Sequence, residues 1–355
     1  MEANGILADG GTVRLTASGT IDLGGSVSAD AGANGRGGTI VAIADLGNAA
    51  SRTDVTGGLS AKGGTQSGDG GFVETSASHL KIAGTARVDT SAANGRTGSW
   101  LLDPTDFTVA ASGGDITGSA LATLLGSSNV TIQTGTGTNT GTDRFGTSGT
   151  NGDVFVNDTV SWSANTLLTL RAARSIFVNS AITASGSTGS GVALEFGQAL
   201  ALADPPPVGG EIAAIRAPIN LAANSSFSMK YRSDGATDNY TVIASEAALR
   251  GISNMTGKFA LGADISTSGS EWTPIGTDVV PFGGQFDGLG HTVSGLHRDQ
   301  GNESNVGMFA SIDFTGMVRN LKLTGVNFAG MNNVGALAGQ NSGLIFGVSA
   351  AGTVT

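Results

Sequence analysis

A Gly-led signal recurs four times in the first hundred residues and limits what the chain can fold into. It reads Gly10-Gly11-Thr12-Val13, Gly37-Gly38-Thr39-Ile40, Gly70-Gly71-Phe72-Val73 and Gly98-Ser99-Trp100-Leu101, at spacings of 27, 33 and 28 residues. After each signal the residues alternate. In the first unit Val13, Leu15 and Ala17 fall on one face and Thr12, Arg14 and Thr16 on the other, the period of a β-strand. Further short strands follow at residues 20–23 and 26–29, and polar, Gly-rich turns such as 30–36 close the unit. Such spacing leaves little room for helices. A sandwich would need hairpin turns or long connections, which do not recur; similar successive units favour a β-solenoid in which each coil stacks on the last.

Composition agrees. Fifty-eight glycines and seven prolines without a three-residue period exclude collagen, and 39% hydrophobic residues exclude disorder. A net charge of −10 with no basic run argues against nucleic acid as a partner. The absence of cysteine removes disulfides, thiolate metal sites and cysteine nucleophiles. No apolar run reaches the roughly 20 residues that span a bilayer. Residues 1–5 lack the basic start and apolar core of a signal peptide. A strand-like pattern still running at Val354-Thr355 suggests a piece of a longer protein.

Three segments are expected: regular Gly-rich coils over 1–100, irregular coils with insertions over 101–258, and a second repeat class over 259–355. Loops are expected to protrude at 135–151 and at 199–209, where Pro205, Pro206 and Pro207 cannot donate to a ladder. Short helices are expected over 115–125 and 245–250, the latter capped by Ser245. The densest apolar stretch, Trp100-Leu101-Leu102-Asp103-Pro104-Thr105-Asp106-Phe107, reads as a hydrophobic plug and bend joining the regular coils to the irregular ones.

The Gly-led units ending in Trp100-Leu101-Leu102-Asp103-Pro104, with Ser161-Trp162-Ser163-Ala164-Asn165-Thr166-Leu167-Leu168, resemble filamentous-haemagglutinin-type exoproteins. From about residue 259 the chain is similar to GLUG-repeat proteins, through Leu261-Gly262-Ala263-Asp264-Ile265, Trp272-Thr273-Pro274-Ile275-Gly276, residues 286–296 and Val334-Gly335-Ala336-Leu337-Ala338-Gly339. The last motif repeats Val306-Gly307-Met308-Phe309-Ala310 from 28 residues earlier and is expected to put Val334, Ala336 and Ala338 on one face. The resemblance implies a right-handed parallel β-helix of roughly 20 residues per coil. It also implies a passenger segment of an adhesin exported by two-partner secretion through an outer-membrane partner. Such a protein is secreted or held at the surface of a Gram-negative cell. The host-cell receptor or glycan would be met by loops on a stiff rod, and uncovered coil ends would associate end to end.

Candidate chemistry is sparse. His79, His291 and His297 lack the companions of a zinc site and are expected to face solvent or occupy turns. Asp264, Asp278, Asp287 and Asp299 are the acids that a carbohydrate-active β-helix could cluster, though Asp287-Gly288 reads first as a turn. Ser185, Ser187 and Ser190 belong to loops without a nucleophile elbow. Residues 63–71 lack the repeated Asp of calcium nonapeptides. Sequons at Asn129, Asn157, Asn224, Asn239, Asn254 and Asn302 are largely what a Ser- and Thr-rich chain produces by chance. The expectation is an all-β, non-enzymatic segment with no catalytic, cofactor-binding or metal-ligating residue. The alternatives are a carbohydrate-active β-helix enzyme and a spacer without a ligand.

Overall fold

A computed structural model describes residues 6–7, 11–135, 152–204, 210–299 and 301–355. Among them 36 strands and two short helices occur, so the chain is nearly all-β. It folds into two compact units, Met1–Arg216 with Ser228–Thr237, and Ala217–Phe227 with Asp238–Thr355.

In the first unit, strands Thr12–Ala17, Thr39–Ala44, Phe72–Ser76, Ser99–Asp103, Asn129–Gln133, Leu167–Arg171 and Gly191–Phe196 lie side by side in one sheet. All their pairings are parallel. Between the first rungs the chain visits a second parallel sheet, Thr20–Leu23, Arg52–Val55 and His79–Ile82. It then visits a third, Ile6–Leu7, Ser26–Ser28, Gly58–Ser60 and Arg87–Asp89. Later circuits contribute Phe107–Val109, Val154–Val156, Ile176–Val178 and Ala213–Ile215 to one parallel sheet. They also pair Val160–Trp162 with Ile182–Ala184. A return to the main sheet takes 27 residues from Thr12 to Thr39 and 38 from Val130 to Leu168. This exceeds the expected 20, because a circuit holds two or three strands and their turns.

Two columns of inward side chains run through the main sheet. Val13, Ile40, Val73, Trp100, Val130, Leu168 and Val192 form one, in register and buried. Leu15, Ala42, Thr75, Leu102, Ile132, Leu170 and Leu194 form the other. Aliphatic residues repeat in both because each fills the space above its equivalent one rung away.

The recurrent glycines stack as well. Thr39, Phe72, Ser99 and Asn129 donate their backbone N–H groups to the carbonyls of Gly11, Gly38, Gly71 and Gly98. A Cβ on Gly71 would lie 2.0 Å from the Gly38 carbonyl oxygen, and one on Gly98 would lie 2.1 Å from that of Gly71. Glycine is required there by backbone approach. Gly71→Ala is expected to destabilise the first unit by roughly 1–3 kcal/mol as neighbouring rungs part. An unchanged denaturation midpoint would show that the rungs are not held this closely.

In the second unit, Lys258–Leu261, Gln285–Asp287, Met317–Arg319 and Leu344–Phe346 pair in parallel. Ile265–Ser266, Thr292–Ser294, Lys322–Ala329 and Ser349–Val354 form a second parallel set. The core here is aromatic. Phe309 lies 5.0 Å from Phe282 and meets Phe286 edge-on at 5.7 Å, with Trp272 also fully buried.

The Val334-Gly335-Ala336-Leu337-Ala338 motif forms a corner between Asn332–Val334 and Ala338–Asn341, with Gly335 at the bend. Val306 pairs with Val334 at 28 residues and Phe309 with Ala338 at 29, so the corner absorbs one residue. Val334, Ala336 and Ala338 all pack against the core, and Leu337, expected opposite, does so as well. Gly339 is a point of close approach, since a Cβ there would lie 2.5 Å from the Asn305 backbone.

Both helices form. Helix α1, Gly118–Leu124, starts later than expected because Ile116 bridges Val109 and Thr117 supplies the cap. Helix α2, Glu246–Arg250, is capped by Ser245, whose hydroxyl accepts from the Ala248 N–H at 3.2 Å. No helix among the described residues is long and apolar enough to cross a membrane. Residues 136–151 and 205–209, which hold most of the first expected loop and the prolines of the second, lie outside the described residues.

Candidate functional site

The Trp100 stretch is a rung of the main sheet with a neighbour on each side. Aligning Gly98 with Gly70 would place Leu101 over Val73; the structure stacks Gly98 on Gly71 and Trp100 over Val73. A one-residue slip exchanges the faces of a strand. Trp100 and Leu102 therefore point inward and are fully buried, while Leu101 and Asp103 are only half-buried on the other side. Trp100, Leu102 and Phe107 are fully buried, as expected of a plug. Although the main sheet runs on through the stretch, the two side sheets of the first rungs end before it and other side sheets begin after it. Its strand passes unbroken to Asp103, and the turn at Pro104 leads into the next strand, Phe107–Val109.

On the outer side of this sheet, polar side chains at successive rungs meet. Gln133 donates Nε2 to Asp103 Oδ2 at 3.4 Å and accepts from Arg171 Nη1 at 3.2 Å. Arg171 Nε donates to Glu195 Oε2 at 2.6 Å. The register makes this possible, pairing Gln133 with Arg171 and Arg171 with Glu195. At the Asp103 end, burial pushes its carboxyl up to about 6; the Glu74 charge adds to this and the Gln133 hydrogen bond opposes it.

A carboxyl raised above its ordinary 3.8 stabilises the fold only while protonated. That stability is fully present below pH 3.8 and is lost as pH rises through about 6. Asp103→Asn is accordingly expected to stabilise the first unit at pH 7.5 by roughly 1–2 kcal/mol, the full shift being discounted because the side chain is partly in water. At pH 3.5 it should do nothing. Thermal melts at the two pH values decide, and an equal effect at both would dissociate the gain from this carboxyl.

A second polar network occupies the second unit. Arg319 donates Nε to Asp287 Oδ2 at 2.6 Å and Nη2 to the Tyr240 hydroxyl at 2.9 Å. Tyr240 donates in turn to Gln285, which donates Nε2 to Asp238 Oδ2 at 3.1 Å. Burial pushes the Tyr240 hydroxyl up to about 12; Arg319 opposes this, and Asp287 and Asp238 add to it. The phenol stays a neutral donor and the network acts as a fixed brace.

The four candidate acids are not gathered into one group. Asp287 is fully buried at the end of the strand Gln285–Asp287 and opens the expected turn, its Oδ1 accepting from the Leu289 N–H as well as from the Asn320 amide. Asp264 is exposed and accepts from the Thr292 N–H. Asp278 is exposed beside Val279 and Val280, and Asp299 ends the strand His297–Asp299. His291 closes a turn, as one of the two expectations for it has it, its N–H donating to the Gly288 carbonyl at 2.8 Å, but it does not face solvent. Its ring is buried, with Nδ1 3.2 Å from Asp264 Oδ1 and Nε2 3.0 Å from the Ile219 carbonyl. His79 is exposed, with Nε2 3.0 Å from the Ala49 carbonyl, and His297 is half-buried in its strand. No group of three or more His, Asp or Glu suited to a metal ion occurs among the described residues. In the 63–71 stretch, Asp69 accepts from the Arg96 N–H at 2.8 Å.

Of the sequons, Asn129 is a structural stitch. Its amide donates to the Thr97 and Gly98 carbonyls and its oxygen accepts from the Leu167 N–H. Asn157 accepts from Asn179 at 2.7 Å, and Asn224 sits in a turn at a φ of 68°. Ser187 donates its N–H and hydroxyl to Asn165, which makes it a turn residue.

No family model matches the chain, and no solved structure matches it. Two curated proteins are similar over parts of it. Halomucin of Haloquadratum walsbyi is 33% identical over 141 residues, which are 35% of this chain and 2% of that protein. A protein of Evansella cellulosilytica called a Gly-rich membrane protein is 34% identical over 128 residues, 33% of this chain and 15% of that protein. The match thus spans only a small part of either relative.

Proposed function

We propose that the chain is a structural and adhesive segment of a large secreted bacterial surface protein. In this reading its circuits are coils of a right-handed parallel β-helix, and the stacked coils form a stiff rod that holds loops out for attachment to host cells or other surfaces. The observation that carries it is the pair of inward columns running in register through seven rungs of the main sheet. A fold built by adding like coils extends a surface at little cost in new design, because each coil buries the one before. Similarity to halomucin and to a protein called a Gly-rich membrane protein supports a surface setting.

The finer reading is a filamentous-haemagglutinin-type exoprotein with GLUG-type repeats, exported from a Gram-negative cell by two-partner secretion through an outer-membrane partner. Its ligand is a host-cell receptor or glycan, and its polar groups act by contact rather than by turnover. Binding of the purified chain to host cells and to a glycan array tests the adhesive part. Saturable binding above that of a charge-matched control protein is expected. A folded chain that binds neither would be a spacer.

Coil ends also leave strand edges open to a second copy. Sedimentation at rising concentration is expected to show end-to-end association, and a strict monomer at high concentration would count against it.

A further inference from the structure

Beside the polar ladder of the first unit lies a groove of about 450 Å³, within the range of small-ligand sites. Gln133, Arg171, Glu195, Gln198 and Lys230 line it. We infer that this groove binds an acidic saccharide, with the ligand carboxylate on Lys230 and Arg171 and its hydroxyls on the Gln133, Gln198 and Glu195 side chains. The inference rests on the attachment reading above and gives it a ligand class and a place.

Charge comes first. The chain as a whole carries −10, yet Arg171 and Lys230 outnumber Glu195 in the groove, which is locally cationic. A cationic recess on an acidic protein draws anions there rather than over the whole surface.

The cations differ in availability. Arg171 spends Nε on Glu195 and Nη1 on Gln133, which fixes the guanidinium plane and leaves Nη2 for a ligand. The Lys230 ammonium makes no hydrogen bond or ion pair among the described residues, although the residue stands on the strand Ser226–Tyr231 at the rim of a built network. A free ammonium beside a braced guanidinium is suited to a carboxylate.

The remaining groups suit a polyol. Gln198 donates Nε2 to the Phe196 carbonyl at 3.2 Å, so its Oε1 is oriented as an acceptor. Glu195 commits Oε2 to Arg171, and Oε1 remains to accept. Two amides and a carboxylate held by their own partners match the alternating donors and acceptors of sugar hydroxyls, each of which both gives and takes a hydrogen bond. An acidic peptide would satisfy the cations and waste these groups.

Short uronate oligosaccharides, neutral oligosaccharides of the same length and a Glu-rich peptide are titrated into the intact chain by calorimetry. The uronates are expected to bind at least tenfold more tightly than either control. Lys230→Gln should weaken uronate binding about tenfold, Lys230→Arg should restore most of it, and neither should shift the melting curve. Equal binding of neutral and acidic sugars, preference for the peptide, or full binding by Lys230→Gln would each overturn the groove assignment. If these fail while the chain still binds host cells, the attachment reading stands without this site; if cell binding fails too, both fall.

Discussion

Trp100→Ala is expected to cost the first unit about 3–5 kcal/mol, the range for removing a large buried aromatic. Trp100 is fully buried, and the rungs on either side hold Val73 and Val130 in register with it. Neighbours fixed by parallel ladders cannot close in to fill the void, so the cost should lie toward the upper end. A polar consequence adds to it. The indole N–H donates to Thr75 Oγ1 at 3.1 Å, and Thr75 is itself fully buried in a column of aliphatic side chains. Alanine at 100 strands that hydroxyl. Thr75→Val should cost roughly 1 kcal/mol in the native background, but much less beside Trp100→Phe, where no indole remains to be satisfied. Because the chain has two compact units, the measurement is the denaturant midpoint of the first unit's own transition. A loss under about 1 kcal/mol would remove Trp100 from the list of core residues that hold the rungs together.

The sequence singled out Trp100 for its size but did not show its neighbours, Val73 and Val130. What was legible was local. Period-two alternation marked Val13 and Leu15 as inward, and Ser245 marked the start of α2, because each signal lies within a few residues. What was not legible depended on circuit length. The opening glycines can be aligned in two ways at Gly98, one residue apart, and only the close approach of Gly98 to the Gly71 carbonyl decides between them. Thr75 looked like any other strand threonine, and its role needed Trp100 one rung away. The ladder from Asp103 to Glu195 joins residues from four rungs separated by turns of unequal length, so no fixed spacing announces it. His291 is held by the Ile219 carbonyl, 72 residues distant, and Tyr240 by Arg319, 79 residues distant. Contacts of that kind are products of the register.

Arg232→Ala is expected to be about as damaging, roughly 3–5 kcal/mol, through charge rather than volume. The Arg232 and Glu211 side chains are 4% and 2% exposed, with Arg232 Nη2 2.9 Å from Glu211 Oε1. Arg232 Nη1 also donates to the Ala201 and Asp204 carbonyls at 2.8 and 2.6 Å. Alanine would leave a buried carboxylate without its counter-charge and take a donor from the Ala201, Leu202 and Asp204 carbonyls. Replacing both partners, as in Arg232→Met with Glu211→Leu, should recover much of the loss, since the pair contributes less than either half costs when stranded. Arg232 also has a φ of 62°, so Arg232→Gly should be slightly less damaging than Arg232→Ala at equal loss of charge. The carbonyls that Arg232 holds lie two to five residues after Ala199, which with Gln198 lines the cationic groove. Loosening them should therefore raise amide exchange over residues 199–204 and weaken uronate binding together. Faster exchange with undiminished binding would separate the buried pair from the groove.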